Sequence, residues 1–260
     1  MNDDRNYSPA LYPRESVNNL RDLGGRPAFE GRPIKKGLLF RSAQLYRLND
    51  RDLDFLTGLH IGLVVDFRDL DEREAHPDRL PPGAEYRHLP ALPLTWATED
   101  VPDSSLLPQL FQSDMHRFFL TFYRILGHSA DTAAVYAEFF RLLLQEPVRP
   151  VLWHCTQGKD RTGLAAILLQ TALGVSWEGC LEDYFLTNHM IRDSLEVKLA
   201  SCESPEQRER CLQLHRVHRD RLDAWQEQLA QRWGGLDKYL EQALGLGPAQ
   251  LAALRRLYLD

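Results

Sequence analysis

Apolar positions along the chain follow two rhythms. Short apolar runs, Ile61–Val65 within Ile61–Phe67 and Val151–Trp153 after Pro150, are rich in β-branched residues, and this predicts buried strands. Tyr86–Leu89 predicts another. Between them the apolar spacing lengthens to three and four. Asn49 stands where a cap begins a helix ending near Leu59, and two apolar-rich helices are predicted around Leu107–Leu126 and Thr132–Gln145. After Thr162 the run Leu164–Leu169 has no polar face, so its helix should be enclosed. Arg26–Phe29 and Gly37–Ser42 suggest an edge hairpin turning at Glu30-Gly31-Arg32-Pro33. Strands alternating with helices predict a layered α/β fold. No repeat or Gly/Ser-rich linker divides residues 1–260, so one domain is expected.

Residues 190–233 change the picture, because they are helical in pattern and highly charged. Ser204-Pro205-Glu206-Gln207 reads as a helix start with proline in the first turn and a glutamine closing a capping box. Leu222, Trp225, Leu229 and Trp233 recur on one stripe, which reads as core packing.

A net charge of −6 argues against a nucleic-acid partner. No run approaches the ~18 apolar residues of an integral membrane segment. Met1–Ala10 carries Asp3 and Asp4 and no apolar centre, so it does not read as a conventional signal peptide. Four irregularly spaced cysteines suit a reducing compartment, and a cytoplasmic location is expected. Cys211, His215 and His218 share a helix face with zinc-like spacing, but no fourth ligand accompanies them. No metal and no cofactor are expected.

The chemistry concentrates in residues 151–163, Val-Leu-Trp-His-Cys-Thr-Gln-Gly-Lys-Asp-Arg-Thr-Gly. A strand delivers a cysteine into a short polar loop, and an arginine opens the next helix. Such a loop can curl its N–H groups of Thr156, Gln157, Gly158, Lys159 and Asp160 around an anion, with the positive helix end aimed at the same point. Cys155 is then the nucleophile. Arg161 can hold two phosphoryl oxygens in its planar fork, which lysine cannot do. Gly158 supplies backbone freedom. Cysteine and arginine six apart also occur at Cys202 and Arg208, but there Glu203 and Glu206 would repel an anion and no glycine intervenes.

The remaining roles follow from what phosphoester cleavage needs. Asp160 is the leading proton donor to the leaving oxygen, with Asp100, Asp103 and Asp114, in or beside the proline-rich stretch Leu92–Pro108, as alternatives. Asp160 could instead pair with an arginine and shape the loop. Asp66 could orient Arg161 or border the pocket. Lys159 reads as a second cation at the mouth, attractive to an inositol phosphate, or as a solvated side chain. His154 reads as a buried support, and Thr162 as a cap or a donor to the sulfur.

The string His154–Gly163 resembles the signature of the cysteine-dependent tyrosine phosphatases, in their bacterial tyrosine and lipid phosphatase type. Asn19–Gly25, Phe40-Arg41-Ser42, Asp66-Phe67-Arg68 with Glu72-Arg73-Glu74, and Asp183-Tyr184 with Thr187-Asn188 are similar to its other marks, in the same order. The resemblance implies a mostly parallel central sheet flanked by helices, an acid carried in the loop at Asp160, and C-terminal helices within 190–233 acting as a lid. It also implies hydrolysis through phosphocysteine, with a phosphorylated protein or a phosphoinositide as substrate. A phosphoinositide-specific enzyme, or another thiolate enzyme such as a sulfurtransferase, is the alternative. Oligomeric state is not legible.

Overall fold

A computed structural model of the chain describes residues 10–12, 14–93 and 97–260. Most of Met1–Ala10 and residues 94–96 of the proline-rich stretch lie outside the described residues. In chain order the elements are β1 (Ala10–Leu11), β2 (Arg21–Asp22), β3 (Leu39–Ser42), α1 (Asp50–Gly58), β4 (Leu63–Asp66), α2 (Leu70–Ala75), β5 (Glu85–His88), α3 (Leu107–Ser113), α4 (Met115–His128), α5 (Ala130–Leu143) and β6 (Val151–His154). Helices then dominate: α6 (Arg161–Leu173), α7 (Trp177–Met190), α8 (Arg192–Ala200), α9 (Pro205–His215), α10 (Arg219–Trp233), the short α11 (Leu236–Lys238) and α12 (Pro248–Tyr258).

The six strands form one sheet in the order β1-β2-β3-β6-β4-β5, parallel from β3 through β5 and antiparallel at β1 and β2. This is the mixed α/β architecture that the alternation predicts. Period-2 alternation splits the central strands between two cores. Leu63, Val65, Val151 and Trp153 face one, and Phe40, Val64 and Leu152 face the other with Leu56 and Ile61. Ser42, His154 and Asp66 align in register, so the parallel strands end along one edge. Ligands of open α/β sheets gather at such carboxyl ends.

Several expectations are refined. Asn49 caps α1, its side chain accepting from the Asp52 N–H at 2.8 Å. The helix expected over 107–126 is two, because Asp114 takes a non-helical conformation, closes α3 through its own N–H and caps α4 through its carboxylate. The edge hairpin does not form. Gly37–Ser42 holds β3, an interior strand flanked by β2 and β6, while residues 25–28 pair with 32–34 around Phe29–Gly31 through a single bridge between Pro27 and Pro33. Prolines lack the N–H that would extend that ladder. The stripe Leu222, Trp225 and Leu229 is buried, and α10 packs on α4 so closely that a Cβ on Gly127 would lie 3.1 Å from Trp225. Trp233 donates to the Gly127 carbonyl at 2.9 Å. Of the charged stretch, only α8 and α9 stand out from the core, with Leu195 their one buried side chain. No helix among the described residues is long and apolar enough to cross a membrane.

Candidate active site

The loop after β6 lies at the carboxyl edge of the sheet and closes on itself at Gly158. That residue has φ +66, and a Cβ there would lie 2.2 Å from the Ser42 carbonyl oxygen, so both conformation and space demand glycine. The loop's carbonyls are pulled outward. Arg41 Nη2 donates to the Gly158 oxygen at 2.8 Å, and Asn19 Nδ2 donates to the same oxygen at 2.9 Å and to Gln157 at 3.4 Å. Among the described residues, no backbone N–H from Thr156 to Asp160 donates to a protein acceptor. These five amides follow Cys155, which is 2% exposed, and the thirteen-residue α6 begins where they end. The loop residues picked out from the sequence are therefore brought together.

Buried charge fixes the outer carbonyls. Asp183 on α7 accepts from Arg21 Nε at 2.7 Å and from Arg41 Nη1 at 2.5 Å, and Arg21 also holds the Asn19 side chain at 2.5 Å. Burial opposes ionisation of Asp183, but the two guanidiniums outweigh it and hold the carboxyl far below the usual range. Asn19 itself sits at φ +61, an αL position that Asn tolerates.

Arg161 is oriented by Glu72, not by Asp66. Its Nη1 and Nη2 donate to the two Glu72 oxygens at 2.6 and 2.9 Å, and Nη1 also reaches the Phe67 carbonyl at 3.3 Å. Glu72 accepts from the Thr156 hydroxyl as well, and it is fixed from behind by a reciprocal capping box with Asp69 at the start of α2. Burial raises its pKa, yet the bonds to Arg161 and Thr156 bring it down to about 2. The terminal edge of the guanidinium is thus occupied, and Nε has no acceptor among the described residues.

Asp66 has another task. It grips Arg68 through both oxygens at 2.7–3.0 Å and accepts from Tyr86 at 2.7 Å. Arg68 also donates to Asp78 at 2.5 Å. His154 is fully buried against this cluster, Nε2 lying 3.2 Å from Asp78 Oδ2 and Nδ1 3.4 Å from the Cys155 carbonyl. Asp66, Asp78 and His154 could between them ligate a cation, but the Arg68 guanidinium already supplies one. Cys211, His215 and His218 do not assemble into a ligand group among the described residues. His215 bonds Gln157 through Nδ1 at 3.1 Å and faces Lys198 through Nε2, and His218 only begins α10.

Lys159 is neither a cation at the mouth nor a solvated side chain. It is 1% exposed, 2.6 Å from Asp160 Oδ2, with its ammonium 4.2 Å from the centre of the Phe119 ring. Its chain follows a loop whose interior is apolar on that side, so the ammonium is buried with a partner. Asp160 Oδ1 accepts from Tyr123 at 2.7 Å, and Tyr123 touches Tyr184 at 3.0 Å. Burial pushes the Asp160 carboxyl up, but Lys159 and Arg221 outweigh it and bring it below the ordinary value. The alternative acids are spoken for elsewhere: Asp100 faces His128 at 3.3 Å, Asp103 pairs with Arg117 at 2.7 Å, and Asp114 caps α4. The Thr162 hydroxyl is buried with no hydrogen-bond partner, so it neither caps α6 nor donates to the sulfur.

Glu72, Asn19, Arg41, Asp183, Tyr123 and Asp78 are the supporting residues that sequence spacing did not assign. Glu72 lies 89 positions from Arg161, and its only local signal was a capping box.

A mostly parallel α/β sheet with a cysteine and an arginine on one glycine-containing loop at its carboxyl edge is the frame of this site. The profile of the tyrosine phosphatase family matches residues 12–260, and the chain belongs to that family. It is 32% identical to a protein of Cupriavidus necator assigned as a tyrosine-protein phosphatase, over 91% of this chain and 85% of the other. It is 29% identical to the triple specificity protein phosphatase PtpB of Mycobacterium tuberculosis, over 66% of this chain and 67% of the other.

Proposed function

We propose that the chain is a single-domain phosphatase that hydrolyses phosphotyrosine in proteins through a phosphocysteine intermediate. The observation that carries this reading is the run of five undonated amides that follows Cys155 in one loop, with the free Nε edge of Arg161 at its end. A phosphoryl group seated there gains N–H donors on its equatorial oxygens as charge builds on them. The Cys155 sulfur, as thiolate, attacks phosphorus, and the tyrosyl oxygen leaves with a proton from Asp160. Water then attacks the phosphocysteine, Asp160 takes back the proton, and phosphate departs with the thiolate restored.

Asp160 must be protonated for the first step, yet in the unliganded protein it is held ionised by Lys159. A phosphoryl dianion entering the loop competes for that ammonium and adds negative charge nearby, and both effects favour a proton on Asp160. The case for phosphoinositides rested on Lys159 at the mouth. With Lys159 buried, phosphotyrosine is the better supported substrate. We assign α8 and α9 the part of a lid, joined to the loop by the His215–Gln157 hydrogen bond.

The test is a panel of phosphotyrosyl, phosphoseryl and phosphoinositide substrates on wild type and Cys155→Ser, with released phosphate as readout and rapid-quench trapping of labelled protein. Phosphate release by wild type alone, with label on Cys155, is expected. Release by Cys155→Ser at the wild-type rate would end the assignment. Removal of 192–215 with no change of rate on small or bulky substrates would end the lid.

A further inference from the structure

Beside the loop lies a cavity of about 290 Å³ that the chemistry above does not use. It meets the loop only at Thr156 and Gln157, on its outer shoulder, and runs between the segment before α1 and helix α8. Arg47 and Lys198 both line it, with His215, Gln44, Ser16 and Ser194 among the other walls. Among the described residues, neither cation has a carboxylate within ion-pair distance. Arg47 leans on the Tyr46 ring at 4.9 Å, and Lys198 lies 3.2 Å from His215 Nε2. No Asp or Glu lines the cavity, although the chain carries 37 of them against 31 Lys and Arg. Two acids touch lining residues from outside and are already engaged: Asp52 accepts from the Ser16 N–H and hydroxyl at 2.9 and 2.6 Å, and Glu72, which accepts from Thr156, is paired with Arg161. His215 is held neutral between cations, its pKa pushed down to about 4 by burial, Lys198 and Lys159. Two cations without counter-ions in an otherwise acidic protein leave this cavity short of negative charge.

We propose that this cavity is a second anion subsite, which takes an acidic or phosphorylated side chain flanking the phosphotyrosine of a peptide substrate. The inference rests on the phosphatase reading and adds to it the substrate's second contact. Position favours a peptide over an inositol headgroup. The cavity touches neither Cys155 nor Gly158–Arg161, so its occupant must reach over the rim of the loop. An inositol carries its phosphates on one six-membered ring, whereas the next residue of a peptide lies a further backbone step away, the reach that an occupant on the outer shoulder of the loop requires. Among the described residues, the side-chain NH₂ of Gln44 is free to meet a peptide carbonyl.

The test compares phosphotyrosyl peptides that differ only in whether glutamate or phosphoserine flanks the phosphotyrosine, against the same peptide with alanine there. Wild type and an Arg47→Ala/Lys198→Ala double variant are measured, and the readout is the ratio of kcat/KM for acidic and neutral peptides. In wild type this ratio should be about two- to fivefold, the scale of ion pairs made by two exposed cations, and should shrink with added salt. In the double variant it should fall to about one. A ratio near one in wild type overturns the subsite while leaving the phosphatase reading intact. An unchanged ratio in the double variant also overturns it, even if both rates drop together. Loss confined to vesicles carrying a bisphosphorylated inositol lipid, with the peptide ratio unmoved, overturns it in favour of a lipid headgroup. Failure of wild type to release phosphate from any peptide overturns the phosphatase reading itself.

Discussion

Replacing Glu72 by glutamine changes one oxygen of a carboxylate to an NH₂ and leaves shape intact. In the native site both oxygens accept from Arg161, at 2.6 and 2.9 Å, and one also accepts the Thr156 hydroxyl. An amide offers one acceptor to these donors and turns two N–H groups toward a guanidinium or a hydroxyl. One charge-assisted bond is lost, at about 1.5–3 kcal/mol. The acid dependence bounds the total independently. Holding the Glu72 carboxyl from 4.5 down to about 2 corresponds to about 3 kcal/mol at neutral pH, an upper figure because its side chain is 29% exposed and screened. The folded pKa is depressed, so this contribution is present above pH 4.5 and lost as pH falls toward 2. Part of it holds the fork in its catalytic orientation, so kcat/KM for p-nitrophenyl phosphate should fall by about 10–100-fold, the rate equivalent of that energy. The melting temperature should fall as well, and the gap from wild type should narrow as pH drops from 4.5 to 3. Steady-state kinetics and thermal melts across pH measure both. Wild-type kcat/KM in a folded Glu72→Gln protein would refute the orienting role.

Gly158→Ala should cost about 1–2 kcal/mol for a left-handed alanine and force the loop off Ser42, with at least about a hundredfold loss of kcat; wild-type turnover would contradict the crowding. Asp183→Asn leaves Arg21 and Arg41 buried with less charge to meet them, and chemical denaturation should show a loss of about 3 kcal/mol. Because Asp183 is ionised through a depressed pKa, wild-type stability should decline as pH falls below 3.8, and that decline should be shallower in Asp183→Asn. Tyr123→Phe removes a hydrogen bond to the ionised Asp160, so the high-pH limb of the kcat/KM profile should move upward in pH; an unmoved limb would exclude Asp160 as the group that must carry the proton.

The elements that dictate their own structure were legible in the chain. Val151–Trp153 and Ile61–Phe67 are apolar on both faces, and the parallel strands β6 and β4 fill those positions. The loop was legible because its chemistry is compressed into thirteen consecutive residues. What escaped is whatever depends on a partner far along the chain. Glu72 was read only among family marks, since nothing at position 72 announces position 161. Asp66 was matched to the wrong arginine because Arg68, two residues on, takes it first. Lys159 was read as a cation at the mouth or a solvated side chain, since no local pattern shows that Phe119 and Asp160 close over it. The break at Asp114 lies between: aspartate prefers helix starts, but only the packing of Phe111 on α3 against Phe118 on α4, across the break, shows why the chain turns there.

The closeness of Gly158 to Ser42 has a consequence for how this chemistry can be moved or copied. The curvature of the thiol-bearing segment is cast against the end of the adjacent strand, much as a moulding takes its profile from the form beneath it. Grafting residues 154–163 onto a foreign strand would transfer every reacting group and none of that template. A working transplant would need the Phe40–Ala43 backbone as its second half.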